Sequence, residues 1–264
     1  MIDVTKLKLG KGAPKFDGQR LRLRDYLTPA LPAPPVRIDW TNGITNWPML
    51  LNGPNSFGKN IPPEGLGNCT IASKLHTIQI WMLNNPGCPK KYTPADAAAL
   101  KYYEQFDGYV PGDSNTDNGG IIVDVLNDWR KLPAGMDGHV LLGYADPQPQ
   151  NMGHVEQSIA FFGAVDIGLQ LPVSAQGQIS SGQPWEKVSD DGGVWGGHDV
   201  TVPRYQSDTR YLTCITWNQV QLMSYDFWDA YCDESHTLWG HAWSPVTDGI
   251  KIKDFAADIA LVTG

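Results

Sequence analysis

The stretch from Gly65 to Ile78 reads Gly-Leu-Gly-Asn-Cys-Thr-Ile-Ala-Ser-Lys-Leu-His-Thr-Ile, and it limits what this chain can fold into more than any other. Gly65 and Gly67 punctuate a loop, and Asn68 is a residue type that starts helices. From there Ile71, Leu75, Ile78 and Met82 recur at helical spacing. The pattern predicts a helix over 68–84 with one buried face. Cys69 then falls in its first turn, where unpaired N–H groups and the positive end of the helix dipole favour negative charge. A thiol so placed ionises more easily, and the thiolate is the nucleophile. A lone Cys also suits plain burial as a small apolar residue. The choice depends on what the rest of the chain brings to it.

The chain has 264 residues, enough for one large domain or two small ones, and its 41% hydrophobic content fits a packed core. A net charge of -8 argues against a nucleic-acid partner. The nearest thing to a basic cluster is Arg20, Arg22 and Arg24. Residues 1–12 hold no apolar run, so no secretory signal is expected. No run reaches the roughly 18 apolar residues of a membrane span. A cytoplasmic protein with no membrane partner is expected. The cysteines at 69, 88, 214 and 232 form no CxxC pair and no zinc spacing. Cys69–Cys88 and Cys214–Cys232 bridges are conceivable, but without an export signal free thiols are expected.

Pro29, Pro32, Pro34 and Pro35 make an extended connector. It divides an N-terminal arm, 1–30, from a domain at 31–264. A short strand is expected at 36–40 and further helices at 93–106 and 121–131. A strand at 139–144, a helix at 155–162 and a strand at 164–171 follow. Residues 174–195 read as a Gly/Ser/Gln-rich loop. Strands are expected at 198–205, 211–217 and 258–263, with 224–231 helical or irregular. Helices come first and strands second, an α+β layout of a helical half and an antiparallel half.

A nucleophilic thiol needs a base that is near in space but can be far along the chain. His198 follows Gly196-Gly197 at the head of a predicted strand, and Asn218 comes next to Trp217. His76, two turns after Cys69, reads as a hydrogen-bonded structural residue. His236 and His241 with Asp233 and Glu234 match no metal spacing, so neither metal nor cofactor is expected. Asp190-Asp191 reads as a solvated turn. The aromatic tail from Trp217 to Trp243 reads as packing against a sheet.

Several segments resemble papain-like cysteine peptidases in the same order. Leu31-Pro32 to Asp39-Trp40 is similar to the start of that catalytic domain. Asn118-Gly119-Gly120 resembles its Gly-Gly approach to the third helix. Residues 155–171 resemble its short helix and core strand. Gly197-His198-Asp199-Val200 resembles its His strand, and 211–218 the strand that delivers its Asn and shielding Trp. His198 and Asn218 lie about 130 and about 150 residues after Cys69, the separation papain-type enzymes show. Gly-Asn-Cys-Thr at 67–70 resembles the divergent members found in bacteria and their phages.

The chain departs from that family at identifiable places. Leu66 and Thr70 stand where the papain signature has a Cys and an aromatic. Pro63 stands where the family has its oxyanion Gln, leaving Asn60 as the candidate amide if 61–64 is an insertion. Aligning on Trp217 puts Ile215, not Asn218, at the family's Asn. The resemblance implies a helical half packed on an antiparallel sheet, with an active-site cleft between them. It implies a peptidase acting on peptide or protein substrates, with Cys69 as nucleophile and His198 as its ion-pair partner. Asn218 would orient His198, and Asn60 with the Cys69 N–H would hold the oxyanion. Two other outcomes suit the same residues. One is an inactive fold used as a binding or virion-associated module; the other is a cell-wall amidase or transferase using the same Cys–His pair.

Overall fold

The computed structural model describes residues 2–15, 21–53, 60–87, 91–243, 250–251, 253–255 and 257–258. Arg20, Cys88 and the expected strand beyond Asp258 lie outside them, and Asp258 itself is helical. The first half holds β1 (Arg37–Asp39), α1 (Cys69–Asn84), α2 (Asp96–Asp107) and α3 (Ile122–Lys131). The second holds β2 (Leu141–Ala145), α4 (Met152–Phe162), β3 (Val165–Pro172), α5 (Ser174–Ser180) and β4 (Val194–Gln206). It continues with β5 (Tyr211–Thr216), β6 (Gln219–Ser224), α6 (Tyr225–Tyr231) and β7 (Cys232–Gly240). The strands form one antiparallel sheet in the order β2-β7-β3-β4-β5-β6, with β1 paired to β4.

Helix α1 joins the halves because it is buried on two sides. Ile71, Leu75, Ile78 and Trp81 enter the helical core beside Tyr102, Leu126 and Trp129. Burying each large aliphatic side chain contributes about 1.5–3 kcal/mol. The opposite face, Ser73, Lys74 and Thr77, is polar yet buried against the sheet. Lys74 Nζ lies 2.6 Å from both Asp166 of β3 and Asp199 of β4. Thr77 Oγ1 donates to Thr201 Oγ1 of β4 at 2.8 Å. A second core fills the sheet half, with Ile159, Val165, Ile167, Leu169, Val202 and Leu212 in it.

The differences from expectation have local causes. Ala95 after Pro94 stays extended (φ -116°, ψ 153°), so α2 begins at Asp96, later than predicted. Helix α4 begins a turn early because the Asn151 side chain accepts from the His154 N–H and caps it. A helix, α5, lies within the expected loop at 174–195. Strand β4 starts at Val194, which puts His198 in mid-strand rather than at the head. Strand β7 was hidden because Glu234, Ser235, His236 and Thr237 are all buried, so no apolar alternation marks it.

Candidate active site

Cys69 opens α1 and is 1% exposed. Asn68 occupies the N-cap position without capping: its Nδ2 donates to Leu50 O instead. The first-turn N–H groups are therefore not taken up by that side chain. The loop beneath is strained, with Leu50 (φ 53°) and Leu51 (φ 68°) both left-handed and fully buried. Asn52 Nδ2 holds Leu66 O at 3.0 Å, and Asp117 Oδ1 accepts from the Gly67 N–H at 2.8 Å. The same Asp117 oxygen accepts from Tyr103 OH, which in turn accepts from the Gly119 N–H. The nucleophile loop and the Gly119-Gly120 wall are thus braced together.

His198 reaches the same place from β4. The backbone of Asp199, the next residue, lies near enough to the Cys69 sulfur to favour its thiolate, so the thiol lies close to the peptide that follows His198. The ring stacks on Trp217 with centroids 4.6 Å apart and planes at 17°. Its Nε2 shares a hydrogen bond with Thr216 Oγ1 at 2.7 Å, while the buried Nδ1 has no hydrogen-bond partner. Trp217 stands at φ 50°, a strained geometry for so bulky a residue, in the two-residue turn between β5 and β6.

The structure does not bring Asn218 or Asn60 to the pair. Continuing the Thr201–Ile215 register would set Asn218 opposite His198, but the turn at Trp217 diverts the chain and leaves Asn218 exposed. Thr216, the last residue of β5, stands on the ring instead. Asn60 is exposed beside Gly112 of the loop between α2 and α3. The buried amides at the nucleophile loop are Asn52 and Asn68. The two-residue period of a strand puts Thr216 on the β5 face of Leu212 and Cys214, and that is the signal that could have singled it out. His76 bonds Pro48 O at 3.0 Å, and burial holds its pKa down at about 4. Cys69, Cys214 and Cys232 are free thiols.

Residues 8–12 lie outside any strand, against the nucleophile loop, Gly120 and β4, with an isolated bridge from Lys11 to Gly120. The Lys8 N–H donates to Asn52 O, Lys11 N–H to Gly197 O, Gly12 N–H to Gly120 O, and Gly120 N–H to Gly10 O. A Cβ on Gly10 would lie 1.6 Å from Gly67 O, so the segment fits only as glycine there. The Gly10 backbone also lies near enough to the Cys69 sulfur to favour its thiolate. Under this cover, burial first and the Asp199 charge second push the Cys69 thiol up to about 12. Burial pulls His198 down to about 3. At pH 7 both members are neutral in this arrangement.

No protein-family profile matches the chain, and no curated protein sequence does. Among solved structures it is similar to xylellain, a cysteine protease from Xylella fastidiosa. The TM-score is 0.64 at 14% identity, over 88% of this chain and 96% of that one. The α+β fold, with helices packed on an antiparallel sheet, is the papain-like cysteine protease fold. No helix among the described residues is long and apolar enough to cross a membrane.

Proposed function

We propose that this chain is a papain-like cysteine peptidase hydrolysing peptide bonds through Cys69 and His198, and that residues 8–12 leave the cleft before a substrate enters. The observation that carries it is the meeting of a helix-N-terminal thiol with the peptide following His198, whose ring is fixed by Thr216 and Trp217. With Nε2–H donating to Thr216, Nδ1 bears the lone pair. It takes the thiol proton as Sγ attacks the carbonyl carbon, then gives that proton to the leaving amine as the C–N bond breaks. Water, deprotonated by the same nitrogen, hydrolyses the thioester and restores the thiol. The Cys69 N–H stabilises the oxyanion. The free thiols of Cys69, Cys214 and Cys232, the cysteines among the described residues, suit a reducing compartment. The Gly-Asn-Cys-Thr loop supports a place among the bacterial and phage-encoded members.

The seated arm and the neutral pair favour a second reading, a silent fold used as a binding module. One experiment separates them. Gly10→Ala drives a methyl group into Gly67 O and should displace the arm. In that full-length variant, casein cleavage that disappears with Cys69→Ala and with His198→Ala is expected. Cys69 should also alkylate with iodoacetamide far faster than the buried Cys214. No cleavage, with Cys69 no more reactive than Cys214, would establish the silent fold.

A further inference from the structure

The arm brings a side chain into a pocket that the catalytic reading does not use. Lys11 is buried, its Nζ 2.9 Å from Asp233 Oδ2 and 3.1 Å from Glu234 Oε1, both at the start of β7. Gln170 of β3 donates to the same Asp233 oxygen at 2.9 Å. Glu234 is 0% exposed, and its other carboxylate oxygen meets His236 Nε2 at 3.1 Å. A Cβ on Gly168 of β3 would lie 2.0 Å from Lys11 Cε, so glycine there makes the depth a long side chain needs.

We propose that Asp233, Glu234, Gln170 and Gly168 form the specificity pocket of this site, and that its substrates carry a lysine or arginine side chain into it. The inference rests on the peptidase reading for the word substrate, though not for the binding it claims. Every main-chain bond of residues 8–12 is one that any extended peptide can make. Sequence is read at two places: at Gly10, where any Cβ would meet Gly67 O, and at Lys11, where a side chain is taken in. If the arm leaves with nothing in its place, Asp233 and Glu234 lose the cation they share, and Glu234 keeps only its contact with His236. A basic side chain on the incoming peptide restores the pairing; an apolar or acidic one does not. The Gly10 carbonyl is held by the Gly120 N–H.

The test uses the full-length chain carrying Gly10→Ala, to empty the pocket, and Cys69→Ala, to remove chemistry. Binding of acetyl-Gly-Lys-Gly-amide and of the same peptide with norleucine is followed by NMR titration. The lysine peptide should bind at least about tenfold more tightly, and Glu234→Gln should erase the difference. Asp233→Asn, at a partly exposed position, supplies the same readout if circular dichroism shows that Glu234→Gln misfolds. Equal or undetectable binding of the two peptides, or a preference that survives both substitutions, overturns the pocket. Casein cleavage by the Gly10→Ala chain with Cys69 intact judges the peptidase reading separately.

Discussion

Lys74 and Lys11 each sit buried between two carboxylates, and both clusters touch β3. Lys74 belongs to α1, is fixed by the helical core on its other face, and ties that helix to Asp166 and Asp199. Its two acids share one cation, and burial together with the Asp166 charge holds Asp199 well above the usual carboxylate range. Lys11 belongs to the segment 8–12, and its acids face the space that its side chain fills. Lys11 and Lys74 each keep a pKa above the ordinary lysine value because neighbouring carboxylates outweigh burial. The chemistry is alike, but only one cation can be withdrawn without taking the core apart. A buried ion cluster therefore marks framework or function according to which segment lends the counter-ion.

Breaking the fixed cluster should have the largest effect. Lys74→Met leaves Asp166 and Asp199 facing each other without a cation in a site 0% exposed. A loss of about 3–5 kcal/mol in urea unfolding is expected. Adding Asp166→Asn should recover part of it. Lys11→Met should cost clearly less, because Asp233 is 22% exposed and the arm can lift away from it. Its main result should be faster hydrogen exchange at the Gly120 amide, which bonds Gly10 O. Equal losses for the two lysine variants would show that the arm is as integral as α1.

The next effect is on acid stability. His198 and His76 are buried and depressed to about 3 and about 4 from an ordinary 6.5. At these two side chains the unfolded chain binds more protons than the folded one between pH 6.5 and the depressed values, whereas Asp107, raised by burial to about 7, and Asp199 act in the opposite sense. The histidine contribution to stability therefore rises with pH across that window and is lost on acidification through it. Thermal unfolding scans from pH 7 to pH 4 should show that His76→Gln loses less of its midpoint on acidification than the parent chain does. If Gly10→Ala also flattens the profile, re-exposure of His198 by arm release is the cause, and the cleft, unlike the Lys74 cluster, is the adjustable region.

Much of the fixed framework was legible in the chain. The period of Ile71, Leu75 and Ile78 announced α1 and put Cys69 in its first turn, because a helix with one apolar face leaves a regular mark. The apolar alternation of 164–171 announced β3 in the same way. The movable part left no such mark. Residues 8–12 are held by main-chain bonds to Asn52, Gly120 and Gly197, which depend on space and not on side-chain type. Lys11 and Glu234 are linked only through the finished sheet, and β7 carries buried polar residues that mimic a loop pattern. Asn218 attracted notice as an amide beside a tryptophan, but a left-handed Trp217 turns it out of the sheet. One hydroxyl, Thr216, holds the ring in its stead.

Substitution at Thr216 comes next in size. Thr216→Val keeps the β-branched shape and removes the oxygen on His198 Nε2. In the Gly10→Ala chain kcat should fall about 10–100-fold with KM little changed, as when a group that orients a reacting side chain is lost. Thr216→Ser should restore most of it, and the pH profile of kcat should move with the valine variant.

The smallest effects are expected at Asn218 and Asn60, and they test how far the rigid side of the cleft extends. Both side chains are exposed, and surface substitutions of this kind usually change stability by less than about 0.5 kcal/mol. Asn218→Ala lies two residues from Thr216, within the turn that carries the strained Trp217. An orienting role for Asn218 would lower kcat as far as Thr216→Val does. A role in the turn alone would lower the unfolding midpoint slightly and leave kcat untouched, and that is the expected result. Asn60→Ala should leave both unchanged, whereas an oxyanion donor there would cost roughly two to three orders of magnitude in kcat. That outcome would require residue 60 to swing from the Gly112 loop to the head of α1, making the nucleophile side of the cleft as movable as the arm that covers it.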